Sequence, residues 1–395
     1  MAMHVAFLTI PAAGHINPTL PLVTELARRG HRVSYASGPA FREAIENAGA
    51  QFVEIDWAPP TVKASRTGQT TEELADMLLD SIVAARRAMP VAEHWLRVDR
   101  PDVFCYDMMT LLGPVLAERL DLLHASTIAN FAGNEYFDLT SAVTPETFDP
   151  TIPRFQQFLA ERAAFAADAG LPVELIAAPG VIAPLNFVFI PREFQIAGDT
   201  FDERFHFVGP AIGSRIQTSP WNPPADGSPL LYISLGTLYN QRSDIFALCI
   251  KAFGGSGWRV AMAVGDKVDR TPLGEIPFNF DVRSSFPQPE VLRHAAAFLS
   301  HAGMNSVMES LLNQVPLAML PQTPEQFMNA RRVAELGLGR LAESSPSPES
   351  LRQTVDELAA DPGIQQNLAT MASLLVAGGG AEAAADALEA HADPT

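Results

Sequence analysis

Between Ser285 and Gln326 the sequence reads SFPQPEVLRHAAAFLSHAGMNSVMESLLNQVPLAMLPQTPEQ, and its polar residues suit an anion site built with little positive charge. His301, Asn305 and Ser306 offer side-chain donors, whereas Arg293 is the only Lys or Arg in the stretch. Backbone must then carry much of the recognition. A helix N-terminus presents unpaired N–H groups and a field worth about 0.3 to 1 kcal/mol to an anion, up to about 2 when partly buried. A second pair with chemical potential is His15, in the loop PAAGHINP, and Asp107, at the end of the run PDVFCYD. An Asp that accepts from one ring nitrogen of a His fixes the tautomer and leaves the other nitrogen to take a proton. A helix beginning directly after His15 would also disfavour the imidazolium and keep the residue neutral and basic near pH 7.

The elements that must position these residues follow from pattern. Ala295 to Leu299 is a short apolar run bounded by turn formers and suits a buried parallel strand. His301 and Gly303 then sit in the crossing to a helix, where Ser306 and Glu309 form the S-x-x-E signature of a capping box. Val315 to Leu320 predicts a second strand, running into a helix with Thr323 as N-cap, Pro324 at the first position and Gln326 three residues after the cap. Glu309 and Gln326 therefore suit capping as well as ligand binding. Near the start, His4 to Ile10 reads as a buried parallel strand, followed by a helix with Asn17 as N-cap, Pro18 at its first position and Gly30 as terminator. Val33 to Ala36 begins the next strand, completing a βαβ unit, and Val103 to Tyr106 forms another that ends at Asp107. Pro229 to Ser234 starts an apolar strand that leaves through SLGT, Ser234 to Thr237. All these crossings fall at carboxyl ends of strands, where open α/β sheets bind ligands.

Thr61 to Asp99 predicts a polar loop and one long helix whose apolar stripe, Leu74, Met77, Leu78, Ile82 and Val83, suits core packing. Asn130 to Phe165 is rich in Phe and Tyr and broken by Pro145, Pro150 and Pro153. A Gly, Pro, Ser and Asn-rich segment marks a domain boundary, giving an N-terminal domain over 1–208, a linker over 209–228 and a C-terminal domain over 229–375. A helix over Glu325 to Leu336 ends at Gly337. Two further helical patterns follow, the last over Ala381 to His391 within a closing segment, 376–395.

Composition excludes several classes. The 395 residues are 47% hydrophobic and 18% charged, ordinary for globular domains. A formal charge of −18 argues against nucleic acid and anionic membrane as partners. Cys105 and Cys249 lie far apart with no C-x-x-C, so neither a disulfide framework nor a zinc site is suggested, and a reducing cytoplasm fits. The N-terminus lacks the basic region of a signal peptide, and no apolar run is read as membrane-spanning. G-x-G-x-x-G and the P-loop are both missing, which argues against nicotinamide or flavin dinucleotides.

On these residues the chain resembles the UDP-glycosyltransferase superfamily with the GT-B fold, and among its members the bacterial macrolide glycosyltransferases. The resemblance covers almost the whole chain. It implies an α/β architecture of two facing Rossmann-like, doubly wound domains with a cleft between them, the last helix packing back on the N-terminal domain. It further implies that Phe286 stacks on the base, with Pro287 beside it and Gln288 bonding to it. His301, Gly303, Met304, Asn305 and Ser306 would hold the diphosphate, with Gly236 and Thr237 nearby. Glu309 would take the ribose hydroxyls, and Glu325 with Gln326 the sugar hydroxyls. GHINP and PDVFCYD match the family's catalytic His and supporting Asp, here His15 and Asp107. The loop before the long helix and the aromatic region after Asn130 would line the acceptor pocket, through Met77, Phe131, Tyr136 and Phe137. Three departures stand out: Phe286 replaces a more usual Trp, Gln314 a small residue, and Glu325 an Asp.

The expected function is inverting transfer of a hexose, glucose foremost, from a UDP-sugar to a hydroxyl of a hydrophobic small molecule such as a macrolide or flavonoid. No D-x-D pair occurs in the sequence, so no metal and no other cofactor is expected. A sugar-nucleotide epimerase on the same fold and a non-catalytic sugar-nucleotide or small-molecule binding module are the rivals. An epimerase would need no hydrophobic acceptor pocket, and a binding module would have no use for His15 and Asp107.

Overall fold

Strands that are apolar on both sides can be buried only in a sheet covered by helices on each face, which is the parallel arrangement. The computed structural model describes residues 2–57, 70–145, 147–176, 180–211, 221–237 and 240–393. The chain divides into two compact units, Met1–Gly213 together with Ala377–Thr395, and Ser214–Val376. Residues 212–220 of the segment expected to be a linker lie outside the described residues, as does 61–69, where the expected polar loop begins.

The first unit holds β1 (His4–Leu8), β2 (Arg32–Ser37), β3 (Gln51–Glu54), β4 (Val103–Asp107), β5 (His124–Ile128), β6 (Asn186–Val188) and β7 (Phe205–Phe207). They form one sheet in the order β3-β2-β1-β4-β5-β6-β7, every pairing parallel. Successive side chains of β1 enter opposite cores. Ala6 and Leu8 join the cluster made with the helices Thr71–Val98, Leu112–Arg119 and Pro153–Ala169. Val5 and Phe7 join the one made with Leu20–Arg28 and with the last helix, Gly380–Ala392. That last helix contributes Ala384, Ala385 and Leu388 to the core. Charge ties it down further: Arg29 pairs with Asp386 at 2.6 Å and Glu389 at 3.0 Å, and His31 meets Glu389 at 2.7 Å. Arg28 and Arg29 both donate to the buried Glu25, holding its carboxyl far below the usual range, at about 2.

The second unit repeats the plan with β8 (Leu230–Ser234), β9 (Arg259–Ala263), β10 (Phe280–Arg283), β11 (Ala295–Ser300), β12 (Leu317–Met319) and β13 (Gly339–Leu341), in the order β10-β9-β8-β11-β12-β13 and again all parallel. In each sheet the strand order reverses once, between β1 and β4 and between β8 and β11. Those reversals open the crevice at the carboxyl edge.

Several local expectations change. Asn17 is not an N-cap and Pro18 not a first helical residue: Asn17 is the C-cap of a single turn, Ala13–Ile16, and the helix Leu20–Arg28 then starts with Thr19 at its N-cap. The long helix Thr71–Val98 opens with a capping box from Thr70 and Glu73, but it turns Ala75, Leu79, Ile82, Ala85 and Ala92 inward. Of the expected stripe only Ile82 is fully buried, and Val83 is 58% exposed. Small alanines on the inner face let the helix lie close to its neighbour Pro153–Ala169. Three helices rather than two follow Gly337 to Leu341: Pro348–Ala360, Pro362–Ala377 and Gly380–Ala392. The stretch Pro362–Ala392 is long and apolar enough by length and composition to cross a membrane, contrary to expectation. It is broken, however, by Gly379 and Gly380 at φ 77° and 55°, and its second half packs on the first sheet.

Candidate active site

In the first unit the two residues singled out by chemistry meet. Hydrogen bonds from Ala12 N to Ile10 O and His15 N to Ala12 O fold the loop after β1 into one helical turn. Thr19 anchors it by donating to Ile16 O at 2.8 Å and bonding the buried Tyr35 hydroxyl at 2.7 Å. Asp107 closes β4 at the adjacent strand end. His15 Nδ1 donates to Asp107 Oδ2 at 2.7 Å, although the two residues are 92 apart in sequence. The carboxylate is 1% exposed and its other oxygen accepts from Met109 N at 2.9 Å, so both oxygens of a buried anion are satisfied. The imidazole is a quarter exposed. A proton taken up by this ring would enter at Nε2, opposite the anchored nitrogen. The expected helix field on His15 has no geometry behind it, since the next helix starts at Leu20; Asp107 is what orients the ring.

In the second unit β8 leaves through Gly236 and β11 through His301, side by side at the sheet's reversal. The two crossings are fitted to each other. A Cβ on Gly236 would come within 2.6 Å of His301 Nε2, and one on Gly303 within 2.5 Å, so only hydrogen at both positions makes room for the ring. Burial drives the His301 pKa down to about 4, so it acts as a neutral hydrogen-bonding group near pH 7. Ala302 turns the chain at φ 64°, and Gly303 then caps the helix Met304–Leu312. No side chain caps that helix. The capping box expected of Ser306 and Glu309 is therefore absent: Ser306 is the third residue of the helix and Glu309 lies beyond its first turn.

Glu309 bonds the side chain of Gln288 instead. Gln288, first residue of the short helix Gln288–Leu292, donates from Nε2 to Glu309 Oε2 at 2.9 Å and Ser306 Oγ at 3.2 Å. A carboxylate 1% exposed is thereby held beside the residues expected to face base and ribose. Phe286 is half-buried, edge-on to Tyr232 at 6.1 Å, with the Arg283 guanidinium 5.1 Å from its ring centre. Pro287 is the N-cap of the Gln288 helix. Met304 is buried and Asn305 half-buried at the helix start, and Thr237 is exposed at the other crossing.

At the next strand end Thr323 caps the helix Pro324–Glu335 as expected, accepting from Gln326 N at 3.4 Å. The Gln326 side-chain oxygen accepts from Gln322 N at 2.8 Å, which leaves its amide NH2 as the group able to donate to a ligand. Glu325 is exposed in the same turn. Gln314 sits at φ 55°, the left-handed region where glycine is free of strain, which accounts for the small residue usual there and leaves the Gln itself without a structural explanation.

The acceptor candidates divide. Met77 and Phe137 are half-buried, and Tyr136 is 67% exposed. Phe131 is fully buried, stacked on Phe194 at 5.7 Å and edge-on to Phe137 at 6.2 Å, so it supports the aromatic segment from below and is not a pocket wall. Three polar residues escaped the sequence reading. Asn240 donates to Gly236 O at 3.0 Å and fills the space over Gly265; Gln322 accepts from Arg242 at 3.2 Å; Asn329 donates to Ala302 O. Only Asn329 had a usable signal, lying four residues after Glu325 on one helix face. Among the described residues no group of three or more His, Cys, Asp or Glu could hold a metal ion.

Residues 227–376 match the family described as UDP-glucoronosyl and UDP-glucosyl transferase. The chain is 36% identical to the NDP-glycosyltransferase YjiC of Bacillus subtilis (strain 168), over 98% of this chain and 97% of that one. It is 32% identical to the demethyllactenocin mycarosyltransferase of Streptomyces fradiae, over 99% and 87%. Among solved structures, the glycotransferase of kitacinnamycin superposes with a TM-score of 0.88 at 30% identity, covering 100% of both chains. Each of these relatives is a transferase by name, and none supports epimerisation.

Proposed function

Since the chain belongs to the UDP-glycosyltransferase superfamily with the GT-B fold, we propose that it transfers a hexose, glucose foremost, from a UDP-sugar to a hydroxyl of a hydrophobic small molecule, with inversion at the anomeric carbon. His15 Nε2 removes the proton of the acceptor hydroxyl, and Asp107 steadies the imidazolium that results. The acceptor oxygen bonds to the anomeric carbon as the bond to the diphosphate breaks on the opposite face. The departing charge is met by the N-terminus of the helix Met304–Leu312 and by His301, without a metal or other cofactor. Gln288 and Phe286 take the base, Glu309 the ribose, and Glu325 with the Gln326 amide the sugar hydroxyls. The observation that carries this reading is the 2.7 Å bond from His15 Nδ1 to the buried Asp107, which leaves the ring oriented for base catalysis.

A fully hydroxylated donor is favoured because a deoxysugar would leave the buried Gln326 amide without its partner, at about 1 to 3 kcal/mol. One mass-spectrometric panel tests this, crossing UDP-glucose and other nucleotide sugars with macrolide and phenolic acceptors. UDP-glucose should turn over fastest and yield the inverted glycoside. Faster turnover of a TDP-dideoxyhexose with the same acceptor would overturn the donor assignment, and an altered sugar nucleotide released without acceptor would overturn transfer itself.

A further inference from the structure

The diphosphate crossing and the sugar-facing turn belong to different strand-to-helix connections, yet one buried side chain touches both. Asn329, fully buried on the helix Pro324–Glu335, donates from Nδ2 to Ala302 O at 3.0 Å and to Glu325 Oε1 at 3.3 Å. Ala302 is the residue between His301 and Gly303, and it sits at φ 64°. A non-glycine residue there costs about 1 to 2 kcal/mol, so the conformation persists only where its surroundings hold it. The Asn329 amide is such a hold, because it fixes the carbonyl whose direction the left-handed turn sets.

The second contact has a different consequence. Glu325 is exposed at the first turn of its helix, and a bond from a residue one helical turn on limits where its carboxylate can point. Resting on the reading of this unit as a nucleotide-sugar site, we infer that Asn329 is a positioning residue that couples the two subsites: it fixes the crossing that receives the diphosphate and aims the carboxylate that meets the sugar. Its two bonds are both to protein groups, and its effect on either ligand portion runs through them. Its substitution should therefore weaken UDP binding through the crossing, and weaken UDP-glucose binding further through Glu325.

The test is calorimetric affinity for UDP and for UDP-glucose, with Tm, in wild type, Asn329→Ala, Asn329→Asp, Ala302→Gly and the double variant Asn329→Ala/Ala302→Gly. Asn329→Ala should lose about threefold to tenfold in UDP affinity, the loss of one ordinary hydrogen bond, and more than that for UDP-glucose. Asn329→Asp keeps the shape; ionised, it cannot donate and sets a second negative charge beside Glu325, so it should weaken both affinities at least as much as alanine and gives a second reading if the alanine variant does not fold. Ala302→Gly removes the strain, so the double variant should regain UDP affinity while its deficit for the sugar portion remains. A lowered Tm with both affinities within twofold of wild type would overturn the inference, as would loss of UDP affinity that Ala302→Gly does not relieve. A wild-type protein that binds no UDP-sugar would strike the functional reading and the coupling with it, whereas wild-type binding with unmoved variants would strike the coupling alone.

Discussion

The two units use one sheet plan to different ends, and their sites are assembled in opposite ways. In the second unit nearly every group expected at the donor lies in the single stretch Ser285 to Gln326, spanning one short helix, two strands and two helix starts. In the first, His15 and Asp107 come from strand ends 92 residues apart and meet only because β1 and β4 are neighbours in the sheet. A contiguous site is robust to small losses, since each contact is one among many. A two-residue site concentrates its effect in one bond.

That contrast is sharpest for His15. His15→Ala should lower kcat on an aliphatic alcohol by about 10² to 10⁴, the usual contribution of a positioned base, while UDP affinity stays at the wild-type level. Asp107→Asn should cost as much or less, because Asn can still accept a bond but no longer steadies the imidazolium. Kinetics with a phenol and an aliphatic alcohol across pH, beside UDP calorimetry, check both. An acidic phenol should be rescued at raised pH, since part of it is already phenolate. Wild-type kcat in His15→Ala would break the comparison outright.

Donor-side changes should be smaller and should fall on binding. Gly303→Ala would press a methyl against His301, and should raise the donor KM by about tenfold. Phe286→Ala should raise it by about fivefold, near 1 kcal/mol, with kcat little changed because stacking on the base is present equally in ground and transition states. Steady-state kinetics at saturating acceptor separate the two parameters. A fall in kcat at constant KM would show that these residues serve the reaction rather than the donor.

The smallest effect expected is on stability, away from either site. Glu25 joins Arg28 and Arg29 beneath the last helix, and its pKa is depressed to about 2. A depressed carboxylate stabilises the fold fully above its unfolded value, near 4.5, and loses that contribution as pH falls toward about 2. Glu25→Gln should therefore lower stability by about 1 kcal/mol at neutral pH, with the gap to wild type closing between those two values. Thermal unfolding at pH 7 and pH 2.5 measures it, and an equal gap at both would remove Glu25 from the account.

The sequence by itself determined the parallel α/β class, because strands buried on both faces must be apolar throughout, and it determined the register of the donor stretch, because strand, turn and helix start are local events. Thr323 as a cap and Gly337 as a terminator were legible for the same reason. Tertiary structure alone decided the rest. It showed that Glu309 does not cap its helix but bonds Gln288, that the inner face of the long helix is lined by alanines, and that Phe131 lies beneath its aromatic neighbours. Side-chain spacing cannot distinguish such cases: a capping carboxylate and a ligand carboxylate, or a core Phe and a pocket Phe, have the same sequence pattern and differ only in what the fold packs against them. The His15–Asp107 bond is of this kind, since the order of strands in the sheet, and not their order in the chain, brings its two ends within hydrogen-bonding distance.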